Sequence, residues 1–340
     1  MPRPQKNLSA AVAALALGAA VLALAGSALA ARELKMATLA PKKSTWYTSF
    51  AAISADLEKA TGGALKLKIY PGGIHGDEKP TVSKIKTGLL DIAAVTAVGL
   101  SAIEPDVIAF ELPMLFKSYK ELDYVRDALR GELDARFEAK GYKILGWGDI
   151  GYLYVFSNAE VHTPAELKKI RLWAWTEDPI SKTIGDLAGA STVPLAVPDV
   201  LPSLNTGVVD AFVSSPYATI ALGWASKVKF MAGSPVAIGI GATVLSKAVY
   251  DSLPPDQQKL LMDVGAKRSV ELVAAIRNDN KKAIDTLRTT GGISVYALTD
   301  AEKAEWAALS DKVAAALTGK VISAPFLAKV KAKIAEARKK

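Results

Sequence analysis

Apolar and polar positions change rhythm along the chain, and the changes mark out its elements. Residues 10–25 are apolar and alanine-rich. Arg3 and Lys6 precede them, and Gly26, Ser27 and the small-x-small run Ala28-Leu29-Ala30 follow. That order predicts a secretory signal peptide over 1–30, cleaved near Ala30. The stretch is short of the ~20 strongly apolar residues a membrane span needs. A first strand is expected over 33–39, then a helix capped by Ser44 and stopped by Thr61-Gly62-Gly63. Residues 65–70, LKLKIY, alternate as a strand does. A turn at Pro71-Gly72-Gly73 leads to a helix over 77–87, and 90–95 is a short, nearly all-apolar strand. This β-α-β-α-β rhythm predicts a parallel α/β lobe.

The apolar, proline-containing segment Phe110-Glu111-Leu112-Pro113-Met114-Leu115-Phe116 is expected to cross between structural units. A helix over 119–140 and a strand over 142–147 follow. A second alternating region has strands expected near 152–157, 170–175, 193–195, 211–214 and 236–245. Helices are expected between them near 179–187, 198–205 and 216–224, giving a second α/β lobe. From Pro255 to residue 290 apolar positions recur at helical spacing, with Pro254-Pro255 at the start, Gly291-Gly292 at the end and no proline between. A helix of that length reaches about 50 Å at ~1.5 Å per residue, enough to brace both lobes. Two helices over 300–316 and 324–340 close the chain. The expected division is 1–30 signal, 31–150 first lobe, 151–245 second lobe and 246–340 bridging and closing helices.

Length supports this division, since about 310 residues exceed one ordinary core. Cysteine is absent, which removes thiolate metal sites and cysteine nucleophiles; the only two histidines, His75 and His162, lie far apart in sequence. No metal and no cofactor is expected. The formal charge is +8, and much of the excess lies in Lys329, Lys331, Lys333, Arg338, Lys339 and Lys340. A solvated helix face and tail explain that run, and no nucleic-acid motif accompanies it.

Enzyme signatures are missing: there is no G-x-S-x-G elbow, no phosphate loop with lysine and no H-E-x-x-H. Asp77-Glu78 is expected to serve a helix start rather than acid–base chemistry, and Asp178-Pro179 reads as a helix cap followed by a first-turn proline. An exported enzyme built on these acids is the weaker alternative to a binding protein.

Four segments in order resemble one family. They are Lys84-Ile85-Lys86-Thr87-Gly88-Leu89-Leu90-Asp91-Ile92, the 110–116 segment, Leu167-Lys168-Lys169-Ile170-Arg171-Leu172-Trp173-Ala174-Trp175, and Leu204-Asn205-Thr206-Gly207-Val208-Val209-Asp210-Ala211. Together they resemble the substrate-binding subunits of TRAP (tripartite ATP-independent periplasmic) transporters. The resemblance implies a two-lobed periplasmic clamshell that closes on a small molecule and hands it to membrane permease subunits. It implies no catalysis, and a monomer is compatible with it.

Two departures from the family pattern bear on the ligand. Most members grip a carboxylate with an arginine on the second-lobe strand, a task suited to the guanidinium fork. Here that position is Trp173, and Arg171 stands two residues earlier on the same expected strand face. The family's Asp-Gly-x-Glu-Asn segment reads Asp210-Ala211-Phe212-Val213-Ser214-Ser215-Pro216. One reading keeps Arg171 as the clamp of an organic acid. The favoured reading gives the cleft to Trp173, Trp175, Phe212, Tyr152 and Tyr154, with an apolar, aromatic or lipid-like ligand. Ser214 and Ser215, just after a strand end, and Glu78, at the start of a first-lobe helix, complete the candidate site.

Overall fold

The computed structural model describes residues 31–340, so the expected export signal lies outside the described residues. In the first lobe, β1 (Arg32–Thr38) leads to α1 (Thr45–Ala60), β2 (Leu65–Tyr70), α2 (Glu78–Lys86), β3 (Ile92–Thr96), the short α3 (Ala97–Leu100) and α4 (Tyr119–Ala139). Local chemistry sets these bounds. The Ser44 hydroxyl accepts from the Tyr47 N–H at 3.3 Å and opens α1. The Asp77 carboxylate accepts from the Glu78 N–H at 2.9 Å and opens α2. β1 lies between β2 and β3, parallel to both.

Next comes β4 (Tyr142–Ser157), which alters the expected plan. Two strands and a lobe boundary at 150 were expected, but one sixteen-residue strand runs through the boundary. From Tyr142 to Leu153 it pairs with β9 (Ala237–Ser246), and its far end pairs with β7 (Ala211–Ser214). Gly146 and Gly151 keep a face of the strand bare for a helix: a Cβ on Gly146 would run into the Ser269 side chain, and one on Gly151 into the Asn280 amide.

The second lobe holds β5 (Arg171–Trp175), α5 (Pro179–Ala188), β6 (Ser191–Leu195), α6 (Val197–Thr206), β7, α7 (Pro216–Ala221) and β8 (Phe230–Ala232). β9 was expected to belong to this lobe. It pairs antiparallel with β3 along 241–245 and with most of β4, so it lies chiefly in the first-lobe sheet. The main strand order is β2-β1-β3-β9-β4-β7-β5-β6, with β8 set off this path against β4. The 110–116 segment does not cross between lobes. Phe110, Leu112 and Phe116 are buried in the core beside α4, and the crossing is made by β4 and β9.

After α8 (Lys247–Asp251) comes α9 (Pro255–Thr289), the long bridging helix expected from its spacing. From its first turns to past its middle, Leu261, Leu272 and Ile276 pack with Leu34, Met36 and Phe50 of the first lobe. Near its end Leu287 packs with Phe212 and Trp224 of the second. The β10 strand (Ser294–Tyr296), α10 (Asp300–Leu317) and α11 (Ala324–Ala337) finish the chain. Among the described residues, no helix is long and apolar enough to cross a membrane.

Candidate functional site

The two lobes meet around a partly open cavity of about 280 Å³. β4 and β9 supply the wall where the chain crosses between lobes, through Trp147, Gly148, Ile150, Gly239 and Gly241. The first lobe adds Leu39, Trp46, Glu78 and Thr96; the second adds Trp173, Trp175, Ile180, Ser214 and Trp224. Met114 and the α10 residues Trp306 and Leu309 complete it. All six tryptophans of the chain line this one space. None of the lining residues is Lys, Arg or His, while Glu78, Glu111, Asp149 and Asp178 are among them.

The nine candidate residues divide. Trp173, Trp175, Ser214 and Glu78 reach the wall. Trp173 is fixed by its indole N–H, which donates to the Leu195 carbonyl at 3.0 Å, and by Trp224, whose ring centroid lies 5.3 Å away. Tyr152 and Tyr154 do not reach it. On β4 the cavity side belongs to Leu153 and Val155, so period two turns both tyrosines away. Tyr152 packs on the Tyr119 ring at 4.3 Å, and Tyr154 lies in the second-lobe core. Phe212 is fully buried in that core, stacked on Phe156 at 5.3 Å, while Val213 and Ser214 face the cavity. Ser215 is also buried and caps α7, its hydroxyl accepting from the Ala218 N–H.

Arg171 is placed furthest from its expected role. It begins β5 exposed, and its backbone N–H and guanidinium both donate to Asp210, at 2.7 and 2.8 Å. The carboxylate that holds it lies thirty-nine residues on, at the start of β7. The guanidinium does not line the cavity. Sequence reasoning missed Trp46, Trp147, Trp224 and Trp306, which stand on separate elements with no shared motif.

Three of the four wall carboxyl groups serve the backbone. Glu78 accepts from the Thr96 N–H at 2.9 Å, the Thr96 hydroxyl at 2.7 Å and the Gly99 N–H at 2.9 Å, holding the start of α3. Asp178 accepts from the Ile180 and Ser181 N–H groups, each at 3.0 Å, and caps α5. Glu111 accepts from the Ile240 N–H at 2.7 Å. This is helix and strand support rather than an acid–base pair.

Burial has a further consequence for these acids. It lifts the Glu78 carboxyl to about 7 against the opposing Thr96 and Gly99 bonds. It lifts Glu111 to about 8, with the Asp178 and Glu78 charges adding to the rise. The folded chain thus keeps protons that the unfolded chain, at its ordinary 4.5, has already lost. Folded-state pKa values above the unfolded ones give stability that is full below about pH 4.5 and lost as pH rises to 7–8. The melting temperature is expected to fall across that window. Glu111→Gln should flatten the fall, as read by thermal scans at half-unit pH steps. A parallel fall in the variant would remove Glu111 as a cause.

Three comparisons with known proteins bear on this arrangement. The family model for bacterial extracellular solute-binding protein, family 7 (DctP), matches residues 36–320. The 2,3-diketo-L-gulonate-binding periplasmic protein YiaO of Escherichia coli (strain K12) is 25% identical over 291 residues, 84% of this chain and 86% of that one. The C4-dicarboxylate-binding periplasmic protein DctP of Rhodobacter capsulatus is 25% identical over 281 residues, 82% of this chain and 84% of that one. Among solved structures, a TRAP periplasmic solute-binding protein from Ralstonia eutropha H16, with bound (S)-2-acetolactate, superposes with a TM-score of 0.84 at 22% identity. That match covers 89% of this chain and 99% of the other. Another, from Xanthobacter autotrophicus Py2 with bound β-D-galacturonate, gives 0.82 at 19% identity and the same coverage.

Proposed function

The chain belongs to the DctP family of bacterial extracellular solute-binding proteins, family 7, and on that premise we propose that it captures an uncharged apolar or aromatic molecule in the interlobe cavity for a TRAP-type transporter. It acts in the periplasm as a monomeric capture subunit and delivers its cargo to the membrane subunits.

The observation that carries the ligand class is the wall itself, with six indoles and no basic side chain. An organic acid entering this space would leave its carboxylate without a counter-charge among groups already short of water. That arrangement costs several kcal/mol, on the order of the penalty for burying an unpaired ion. The carboxyl groups of Glu78, Glu111 and Asp178 in the wall accept backbone N–H bonds and offer it no cation. Stacking on indole faces repays an apolar or aromatic body through area removed from water, roughly 25 cal/mol per Å². The relatives named for diketogulonate and C4-dicarboxylates, and the solved structures holding acetolactate and galacturonate, favour the opposite reading of an acid ligand. Arg171 is the residue named for that reading, and its side chain is bonded to Asp210.

Native mass spectrometry of freshly purified protein, followed by identification of what dissociates, tests the choice. A parallel thermal-shift panel sets neutral aromatic and aliphatic compounds against galacturonate, acetolactate and C4-dicarboxylates. A neutral compound at ~100 times its Kd should raise stability by about 2.7 kcal/mol, and the acids should leave it unchanged. A stabilising acid whose effect disappears in Arg171→Ala would overturn the proposal.

A further inference from the structure

Trp175 is the only one of the six cavity indoles with an N–H bond from one lobe to a side chain of the other. Its Nε1–H donates to Asp77 Oδ2 at 2.8 Å. Asp77 belongs to the first lobe and holds the start of α2 with its other oxygen. Trp175 ends β5 in the second lobe.

Further contacts between the lobes lie beside this bond. Lys79 Nζ donates to the Glu177 carbonyl at 2.8 Å and lies 3.4 Å from its carboxylate. Glu177 holds a left-handed φ of 65°, a conformation costly for a non-glycine residue, and it is this turn that carries the carbonyl meeting Lys79. A Cβ on Gly73 would stand 3.0 Å from the Pro198 ring, so the turn at Gly73 meets α6 closely. All of these contacts would separate if the lobes swung apart about β4 and β9.

We infer that the Trp175–Asp77 bond is the latch that holds the lobes closed, and that Trp175 couples the cavity to closure because its indole both lines the space and carries the bonded N–H. An occupant packed on the ring limits the rotamers open to the indole and favours the one aimed at Asp77. Trp175 is therefore a positioning residue for closure as well as part of the wall. The occupant's part rests on the cavity being the ligand site, whereas the bond itself does not.

The test uses the full chain as purified, without added ligand, so its failure is separate from failure of the proposed ligand class. The chain has no cysteine, which lets one spin label be placed on each lobe, at Lys66→Cys and Lys182→Cys. Pulsed dipolar spectroscopy then reads the populations of short and long separations. Trp175→Phe keeps a ring and loses the donor. Asp77→Asn keeps a good helix cap and loses one acceptor oxygen. Each is expected to lower the closed-to-open ratio about ten-fold, in keeping with a hydrogen bond to a charged acceptor. The double variant should go no further than the lower single one, since both remove the same bond. Lys79→Ala, which breaks a more exposed pair, should change the ratio less than about two-fold. Unchanged melting temperatures would separate these shifts from unfolding. A parent whose lobes already stand apart, a Trp175→Phe distribution matching the parent's, or additive effects in the double variant would each overturn the inference.

Discussion

Replacing Asp149 with alanine is expected to lower the unfolding free energy by about 3–5 kcal/mol, the cost typical of removing one partner from a buried ion pair. Asp149 lies on β4 where the strand passes between lobes, and it is 1% exposed. Its carboxylate accepts from Arg126 of α4 at 2.6 Å and from Arg277 of α9 at 2.6 Å. The same two arginines share Asp123, at 2.9 Å from Arg126 and 2.6 Å from Arg277. Two cations and two carboxylates thus tie three elements at the crossing. Alanine leaves two guanidinium groups facing one carboxylate in a poorly hydrated space. Asp149→Asn retains one acceptor oxygen, removes the same charge and should cost less. Chemical denaturation of both variants checks the ordering. An alanine variant within 1 kcal/mol of the parent would mean that water reaches the arginines and replaces the carboxylate.

Parts of the fold marked by local chemistry were legible in sequence. Ser44 announces α1, Asp77 announces α2, and Pro255 and Gly291 bracket α9, because caps and breakers act on their own neighbours in the chain. The continuity of β4 was not legible. One strand was expected to end at 147 and another to start near 152, whereas Gly146 and Gly151 owe their place to the approach of Ser269 and Asn280 from more than a hundred residues away. β9 was misassigned for a similar cause, since an apolar run does not state which sheet will accept it.

The site was legible in the same uneven way. Trp173 and Trp175 announced themselves by standing where the family's arginine strand lies. Tyr152 and Tyr154 failed through parity: on a strand, a correct location still leaves two faces, and Leu153 and Val155 took the inner one. The partner of Arg171, Asp210, was not legible because it is adjacent only once β5 and β7 pair. The four other tryptophans converge from α1, β4, the segment after α7, and α10, which only the folded chain brings together.

Trp173→Ala is expected to be the most damaging change within the cavity wall, in stability and in capture. The ring is 7% exposed and lies between Trp175, at 5.8 Å, and Trp224, at 5.3 Å. Burial of a tryptophan and the void left by its loss together cost roughly 3–5 kcal/mol. The lower end applies here, because one side of the ring already meets open space rather than packed atoms. The Leu195 carbonyl also loses its indole donor. A ligand stacked on the ring loses an aromatic face worth on the order of 1 kcal/mol beyond area, in addition to the area itself, so affinity should fall ten- to a hundred-fold. Trp173→Phe should recover most of the stability and part of the affinity, since it restores a ring without the N–H. Chemical denaturation and calorimetric titration with the compound found by native mass spectrometry separate the two effects. Lost stability with unchanged affinity would make Trp173 a core residue that merely borders the cavity, and the ligand would then have to rest on Trp175 and the β4 wall.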